Sequence, residues 1–478
     1  MKSRFLVLAL LFGFLTFAQG LVHSTLNTSP QNSGQANDFS VQCGSHHLME
    51  HLDRQQPGFQ KASDQALQGL VQNLRKQKKS SPAVLNVPVV FHVVHNSPDE
   101  NLPDSVIQNQ LDILNESFRR QNADTATLRS EFLPYVDDAR IEFQLATVDP
   151  NGAPTNGIVR TNTTIQHFGG ILPYAQNQQQ QIQQWVNDSL FYNIFRITQS
   201  SLGGSDAWDT ARYLNIWIGD LRIFEPQINN FEELVFVGLA TPPATHPNFA
   251  GTGFDTLALE QGVLLHYVAV GSNNPASFPN PYGAFNNLLD EGGIAVHEVG
   301  HYLGLRHIWG DGGCNADDFI SDTPLASAAG QFTCNKNRNT CLDSIDGVDL
   351  PDMAENFMDY SSDACMNSFT KEQVQVMRNT LISFRPNLFA VSTPEWETTA
   401  PAFTCYPNPT SGQVKIEATG NFQQMQVQVL NAQGKFLNSF STQGNQSLEF
   451  SLDGPAGMYI VQVQAGERTG IFKVLKQP

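Results

Sequence analysis

The stretch HEVGHYLGLRH occupies residues 297 to 307. Read as helix, it sets His297 and His301 one turn apart, because positions i and i+4 share a face. Both imidazoles can then grip one ion. Glu298 is offset from that line, too far round to be a ligand, yet near enough to reach a water on the ion. Gly304 supplies the positive φ that ends a helix, and the turn swings His307 back toward the other two rings. Three neutral imidazoles around an open fourth position make a catalytic zinc site. Zinc lowers the pKa of bound water to about 7. Glu298 is then the base that takes the proton during attack on a peptide carbonyl and passes it to the leaving amine. HExxH alone arises by chance. The longer HExxHxxGxxH fixes more positions, and apolar Ile294, Ala295 and Val296 lead into it.

The surrounding chain suits such a site. It has 478 residues, 40% apolar and only 15% charged, with a formal net charge of −18. That length predicts several domains, and the acidic balance excludes a nucleic-acid binder, which needs a basic surface. The opening MKSRFLVLALLFGFLTFAQG has basic Lys2 and Arg4, an apolar core from Phe5 to Phe17, and small residues at Ala18-Gln19-Gly20. It reads as a secretory signal peptide. No other stretch is long and apolar enough to span a membrane, and export permits disulfides. Of the six cysteines, Cys314, Cys334, Cys341 and Cys365 cluster, while Cys43 and Cys405 stand apart. With no CxxC, two disulfides are expected in the cluster, and four cysteines allow three pairings.

After the signal comes a polar segment with a helix-like run, DQALQGLVQNLRKQKK, ending in Arg75, Lys76, Lys78 and Lys79. Exposed basic loops are nicking points, so 21–80 reads as a propeptide; a plain linker is the alternative. NVPVVFHVVHN (86–96) is apolar on both faces, a buried strand. SVIQNQLDILNESFRR puts Val106, Ile107, Leu111, Leu114 and Phe118 on one helical stripe, with Ser105 as cap. IEFQLATV (141–148), YLNIWIGDL (213–221) and GVLLHYVAV (262–270) read as half-buried strands, and the Gln-rich QNQQQQIQQWVND from Gln176 as a helix. Interleaved helix and strand predict an α/β (α+β) domain with a mixed twisted sheet and an active-site helix, over 81–390. A Pro/Thr-rich linker (391–403) precedes short alternating strands, QVKIEA, QMQVQVLN, SLEFSL, MYIVQVQ and GIFKVLK. These predict a small all-β sandwich over 404–478.

The pattern HExxHxxGxxH, followed by NFMDYSSDACMN (356–367), is similar to the signature and Met-turn of the metzincin zinc peptidases. Within them the chain resembles the pappalysin family, of the compact ulilysin and mirolysin type. The resemblance covers about residues 43 to 385, through Cys43-Gly44, VPVVFHVVH, GVLLHYVAV, HEVGHYLGLRHIWG, the GGC and SDTP of 312–324, and NFMDYSSDACMNSFT. It implies that Met358 underlies the metal and that Tyr360 helps stabilise the oxyanion. It implies that GVLLHYVAV is the edge strand on which an extended substrate pairs antiparallel. It implies the pairings Cys314–Cys341 and Cys334–Cys365. It implies calcium in GDGGCNADDFISDTP (310–324), where Asp317, Asp318, Asp322 and Thr323 offer the oxygens that calcium takes; a solvated acidic loop is the alternative. Asp363 matches the acid that selects Arg or Lys after the scissile bond, through a bidentate carboxylate–guanidinium fit; a turn-capping Asp is the alternative. Cleavage on the amino side of Arg or Lys follows, and the basic run near 75–79 becomes a self-cleavage region.

Cys43 carries two readings. A propeptide thiolate is a good zinc ligand, and the resemblance implies cysteine-switch latency. Here Val41-Gln42 precede it, so no arginine stands beside it, while His46, His47 and His51 follow and can serve instead. The other reading is a disulfide with Cys405. The segment from 404 resembles the sorting domain of the type IX secretion system, through YPNPTSG, NAQGK, GMYIVQV and FKVLK; an accessory sandwich is the alternative, without an aromatic platform. The chain is therefore expected to be an exported zinc endopeptidase acting on proteins and peptides, secreted or on the cell surface. A catalytically dead, metal-stabilised adhesin and a non-peptidase zinc hydrolase are the competitors.

Overall fold

The computed structural model describes residues 39–75, 83–170, 189–223, 233–243, 260–276, 289–330, 333–392, 403–418, 424–431, 436–444, 447–466 and 468–477. The expected signal peptide, Lys76, Lys78 and Lys79, the Gln-rich run and most of the expected linker lie outside the described residues. The chain forms two compact units, 1–391 and 392–478.

In the first unit, strand β1 (Phe39–Cys43) leads into helices α1 (Gly44–Gln55) and α2 (Phe59–Leu74). Then follow β2 (Val84–His95), α3 (Asp104–Phe118), β3 (Ile141–Leu145), β4 (Ile158–Asn162) and the short α4 (Leu190–Ile194). Strands β5 (Leu214–Gly219), β6 (Glu233–Ala240) and β7 (Val263–His266) precede α5 (Gly293–Tyr302) and α6 (Lys371–Asn379). The sheet runs β1-β6-β7-β5-β2-β3, with β4 also on β2. Its pairings are parallel except β6 with β7, so the sheet is mixed.

Burial explains the strands. In β5, Leu214, Ile216 and Ile218 enter the core on one face and Trp217 the core on the other. All six residues are buried, so this strand is covered on both sides rather than half-buried. The stripe Val106, Ile107, Leu111, Leu114 and Phe118 of α3 is buried as its spacing predicts. Ser105 does not cap that helix: it lies inside it, Pro103 holds the cap position, and no side chain bonds there. Pro fixes φ near the helical value and gives up a donor that a first turn does not need.

Strand order corrects another expectation. GVLLHYVAV is not the edge. Its strand portion, β7, sits between β5 and β6, and Tyr267–Ala269 turns away as a 3₁₀ helix. The outer strand is β1 of the leader, which pairs parallel along β6, Phe39 opposite Glu233 through Gln42 opposite Phe236, so that β6 is second from the edge. Both apolar runs fit a buried strand; which lies outside is a matter of non-local pairing.

Helix α5 is buried at every position, so it is a core element carrying polar side chains. Gly304, at φ 98°, ends it: Leu305 N–H reaches Gly300 O at 3.0 Å, closing the turn. Between this helix and α6, disulfides Cys314–Cys341 and Cys334–Cys365 cross-link an irregular segment. Thr370 and Gln373 form a reciprocal capping box that starts α6.

The second unit has two antiparallel sheets. Phe403–Tyr406, Gln413–Ala418 and Ser447–Ser451 make one; Gln424–Asn431, Phe436–Gln443, Gly457–Ala465 and Arg468–Lys476 make the other. Alternate residues Val414 and Ile416, Val427 and Val429, and Val461 and Val463 fill the space between them. Phe436–Gln443 escaped prediction because none of its residues is fully buried, which removes the alternation that marks a strand.

Candidate metal centre

His297 and His301 leave α5 on one face, and the turn at Gly304 returns His307 to them. Nε2 of His301 lies 3.0 Å from Nε2 of His297 and 3.1 Å from that of His307. The Nδ1 atoms fix the tautomers. His297 Nδ1 donates to Phe357 O at 2.7 Å, His301 Nδ1 to Leu305 O at 2.9 Å, and His307 Nδ1 to an Asp311 oxygen at 2.6 Å. With each proton engaged outward, the three Nε2 lone pairs face one another. Burial keeps the rings neutral: it pulls His297 down to about 3, holds His301 well below the usual range, and lowers His307. This donor set fits a zinc ion.

The rings are also packed. Trp309 stacks on His307 with centroids 4.2 Å apart and planes 7° apart. The Tyr360 ring stands edge-on to His307 at 4.9 Å. Met358 is fully buried, and a Cβ on Gly300 would come within 2.5 Å of its sulfur. The middle glycine of HEVGH therefore makes room for Met358. Its turn also supplies the Phe357 carbonyl for His297, and Met358 O accepts from Ile308 N–H. One loop thus aligns two ligand-bearing segments.

Glu298 is wholly buried, and burial raises its pKa to about 7. One carboxylate oxygen, Oε2, accepts from the Ser45 hydroxyl at 2.8 Å. A Cβ on Gly238 of β6 would approach the Glu298 side chain to 2.5 Å, so the strand needs glycine there. Cys43 ends β1 at the same place: its sulfur and one nitrogen each of His297, His301 and His307 all lie within 4.8 Å of one another. Burial first, then Glu298, raises the Cys43 thiol well above its ordinary value. Cys43 and Cys405 are both free. His46 faces Glu50 and Asp311 and His47 faces Glu50; neither these nor His51 belongs to the ligand group.

Asp363 is buried, and its Oδ2 accepts from Glu291 and Gly293 N–H at 3.1 Å each, which caps α5. Its Oδ1 has no partner, and burial raises the group to about 7. The oxygen-rich loop is less convergent. Asp317 takes Phe319 N–H, Asp318 takes Ile320 N–H and the Thr323 hydroxyl, and Asp322 takes Glu372 N–H. Among the described residues, Asp317, Asp318 and Asp322 are not brought together as three carboxylate ligands of one ion. Sequence reading missed Asp311, Trp309, Ser45 and Gly238. For Asp311 a signal existed: a carboxylate four residues after the third histidine.

Comparison with known proteins agrees with this geometry. A family profile described as pregnancy-associated plasma protein-A, of the M43 peptidases, matches residues 282–382, and one for a secretion system C-terminal sorting domain matches 404–477. An extracellular metalloprotease of Arthroderma benhamiae is 41% identical over 108 residues, 22% of this chain and 34% of that protein. One from Aspergillus oryzae is 41% identical over 198 residues, 40% of this chain and 48% of that protein. The chain thus spans between a third and a half of these curated relatives. Among solved structures, a promirolysin mutant from Tannerella forsythia is 34% identical with a TM-score of 0.53, covering 72% of this chain and 96% of that one. Mature Tannerella forsythia mirolysin with a cleaved peptide is 35% identical, TM-score 0.48, covering 64% and 96%.

The carboxylate on His307 gives a test. Asp311→Ala should weaken zinc retention about 10- to 100-fold, read by competition with a chromogenic chelator, and Asp311→Asn, which keeps an acceptor, should lose less. Equal retention in all three proteins would remove Asp311 from any role in holding the ligand.

Proposed function

The chain belongs to the pappalysin family of metallopeptidases, and from that premise we propose that it is an exported zinc endopeptidase, made as a latent zymogen and cleaving on the amino side of Arg or Lys. The observation that carries this is the convergence of three neutral imidazoles with Glu298 beside them. His297, His301 and His307 would hold the zinc, which when bound acts as a Lewis acid and lowers the pKa of water. Glu298, raised to about 7, is poised to take a proton from the attacking water and give it to the leaving amine. The Tyr360 hydroxyl, kept protonated because burial raises it well above its usual value, can donate to the carbonyl oxygen as charge develops there. The free side of β6 offers main-chain bonds to an extended peptide once β1 leaves.

Latency would rest on Cys43, a reading supported by its sulfur lying within 4.8 Å of a nitrogen of each of the three histidines. Selectivity rests on Asp363: its buried, partnerless Oδ1 lacks a cation, which a substrate guanidinium or ammonium would supply. The sorting tail supports export by the type IX machinery to the medium or cell surface. Calcium has narrower support. Asp322 Oδ1 is buried without a partner, and burial raises both Asp318 and Asp322, a state that a cation would relieve.

Glu298→Gln should cut peptide hydrolysis by the processed protein at least about 100-fold while zinc is retained. Full activity in that variant would leave the adhesin or another hydrolase standing. In a mixed peptide library, Asp363→Asn, which still caps α5 through its amide oxygen, should lose the preference for Arg and Lys; mass spectrometry showing the same cuts would end the selectivity claim. Calcium added to zinc-saturated protein should raise the melting temperature, as a ligand of the native state must, and Asp318→Asn should blunt the rise. An unshifted melting curve would remove calcium.

A further inference from the structure

The leader touches more of the centre than its cysteine. Ser45, two residues after Cys43, is buried at the start of α1. Its hydroxyl donates to Glu298 Oε2 at 2.8 Å and accepts from Ala240 N–H of β6, also at 2.8 Å. Gly44 brings it there: a Cβ on that residue would meet Leu239 Cβ at 3.0 Å and Phe236 at 3.2 Å. The leader thus packs so closely on β6 between the thiol and the hydroxyl that a side chain there would force its neighbours to shift.

We propose that Ser45 is a second, metal-independent half of the latency lock, holding the base Glu298 and one substrate-pairing N–H of β6 at the same time. This deepens the zymogen reading above and rests on it. A sulfur at the open corner excludes the attacking water. It leaves the base and the strand edge to be dealt with separately, and one hydroxyl deals with both. Hydrogen bonds to a carboxylate are stronger than neutral ones, and Ser45 has one in a site closed to solvent. The next residue extends the grip: His46 Nδ1 lies 3.3 Å from the Asp311 oxygen that His307 does not use.

The test uses the full chain in two arms. In chelator, where no chain can process itself, the zymogen, Ser45→Ala, Glu298→Gln and the double variant are melted. Ser45→Ala should lower the melting temperature clearly when Glu298 is present and by less than half as much in the Glu298→Gln chain. Equal losses in both backgrounds would show that the hydroxyl and the carboxylate are not coupled, and would overturn the proposal. With zinc added, the Ser45→Ala zymogen should convert to its processed form about tenfold faster than the parent chain. The processed forms of the two should have the same kcat/KM. Conversion at the parent rate also overturns the proposal. A parent chain that cleaves no peptide at all would sink the peptidase reading instead, and the melting arm would still decide the Ser45 contact.

Discussion

Three imidazoles turned face to face, each with its other nitrogen's proton already spent, constrain everything around them. The arrangement is unfavourable without a cation, because three acceptor lone pairs meet in a buried space. It is held by three unlike partners: the Phe357 carbonyl, the Leu305 carbonyl and the Asp311 carboxylate. The helix supplies the first pair of rings, the Gly304 turn the third, and the methionine loop the alignment of both segments.

A second constraint is the edge of the sheet. Gly238 lets Glu298 lie against β6, so this carboxylate and the strand are neighbours by sterics. The leader occupies that edge in parallel, and an antiparallel peptide would run in the opposite sense along it.

The local parts of this molecule were legible in the residues. HEVGHYLGLRH carries its own geometry, since helix period and one glycine suffice to bring the rings together. The α3 stripe and most sandwich strands announced themselves by spacing. Non-local facts did not. Nothing in GVLLHYVAV or ELVFVGLA tells which lies outside, because both are apolar runs whose order depends on distant pairing. Ser45 resembles any serine until the fold sets it beside Glu298. In the sequence Asp363 reads as an acid selecting Arg or Lys or as a turn cap; its bonds to Glu291 and Gly293 N–H place it at the start of α5, a helix far from it in the chain.

Leu67, Val71 and Leu74 of the leader belong to the core on one face of the sheet, and Leu48, Met49, Leu52 and Phe59 to the core on the other. Each such side chain contributes roughly 1.5–3 kcal/mol when fully buried. The leader is thus part of the interior in which the rest of the chain takes shape. Cutting these residues away would take apolar packing from both faces of the sheet.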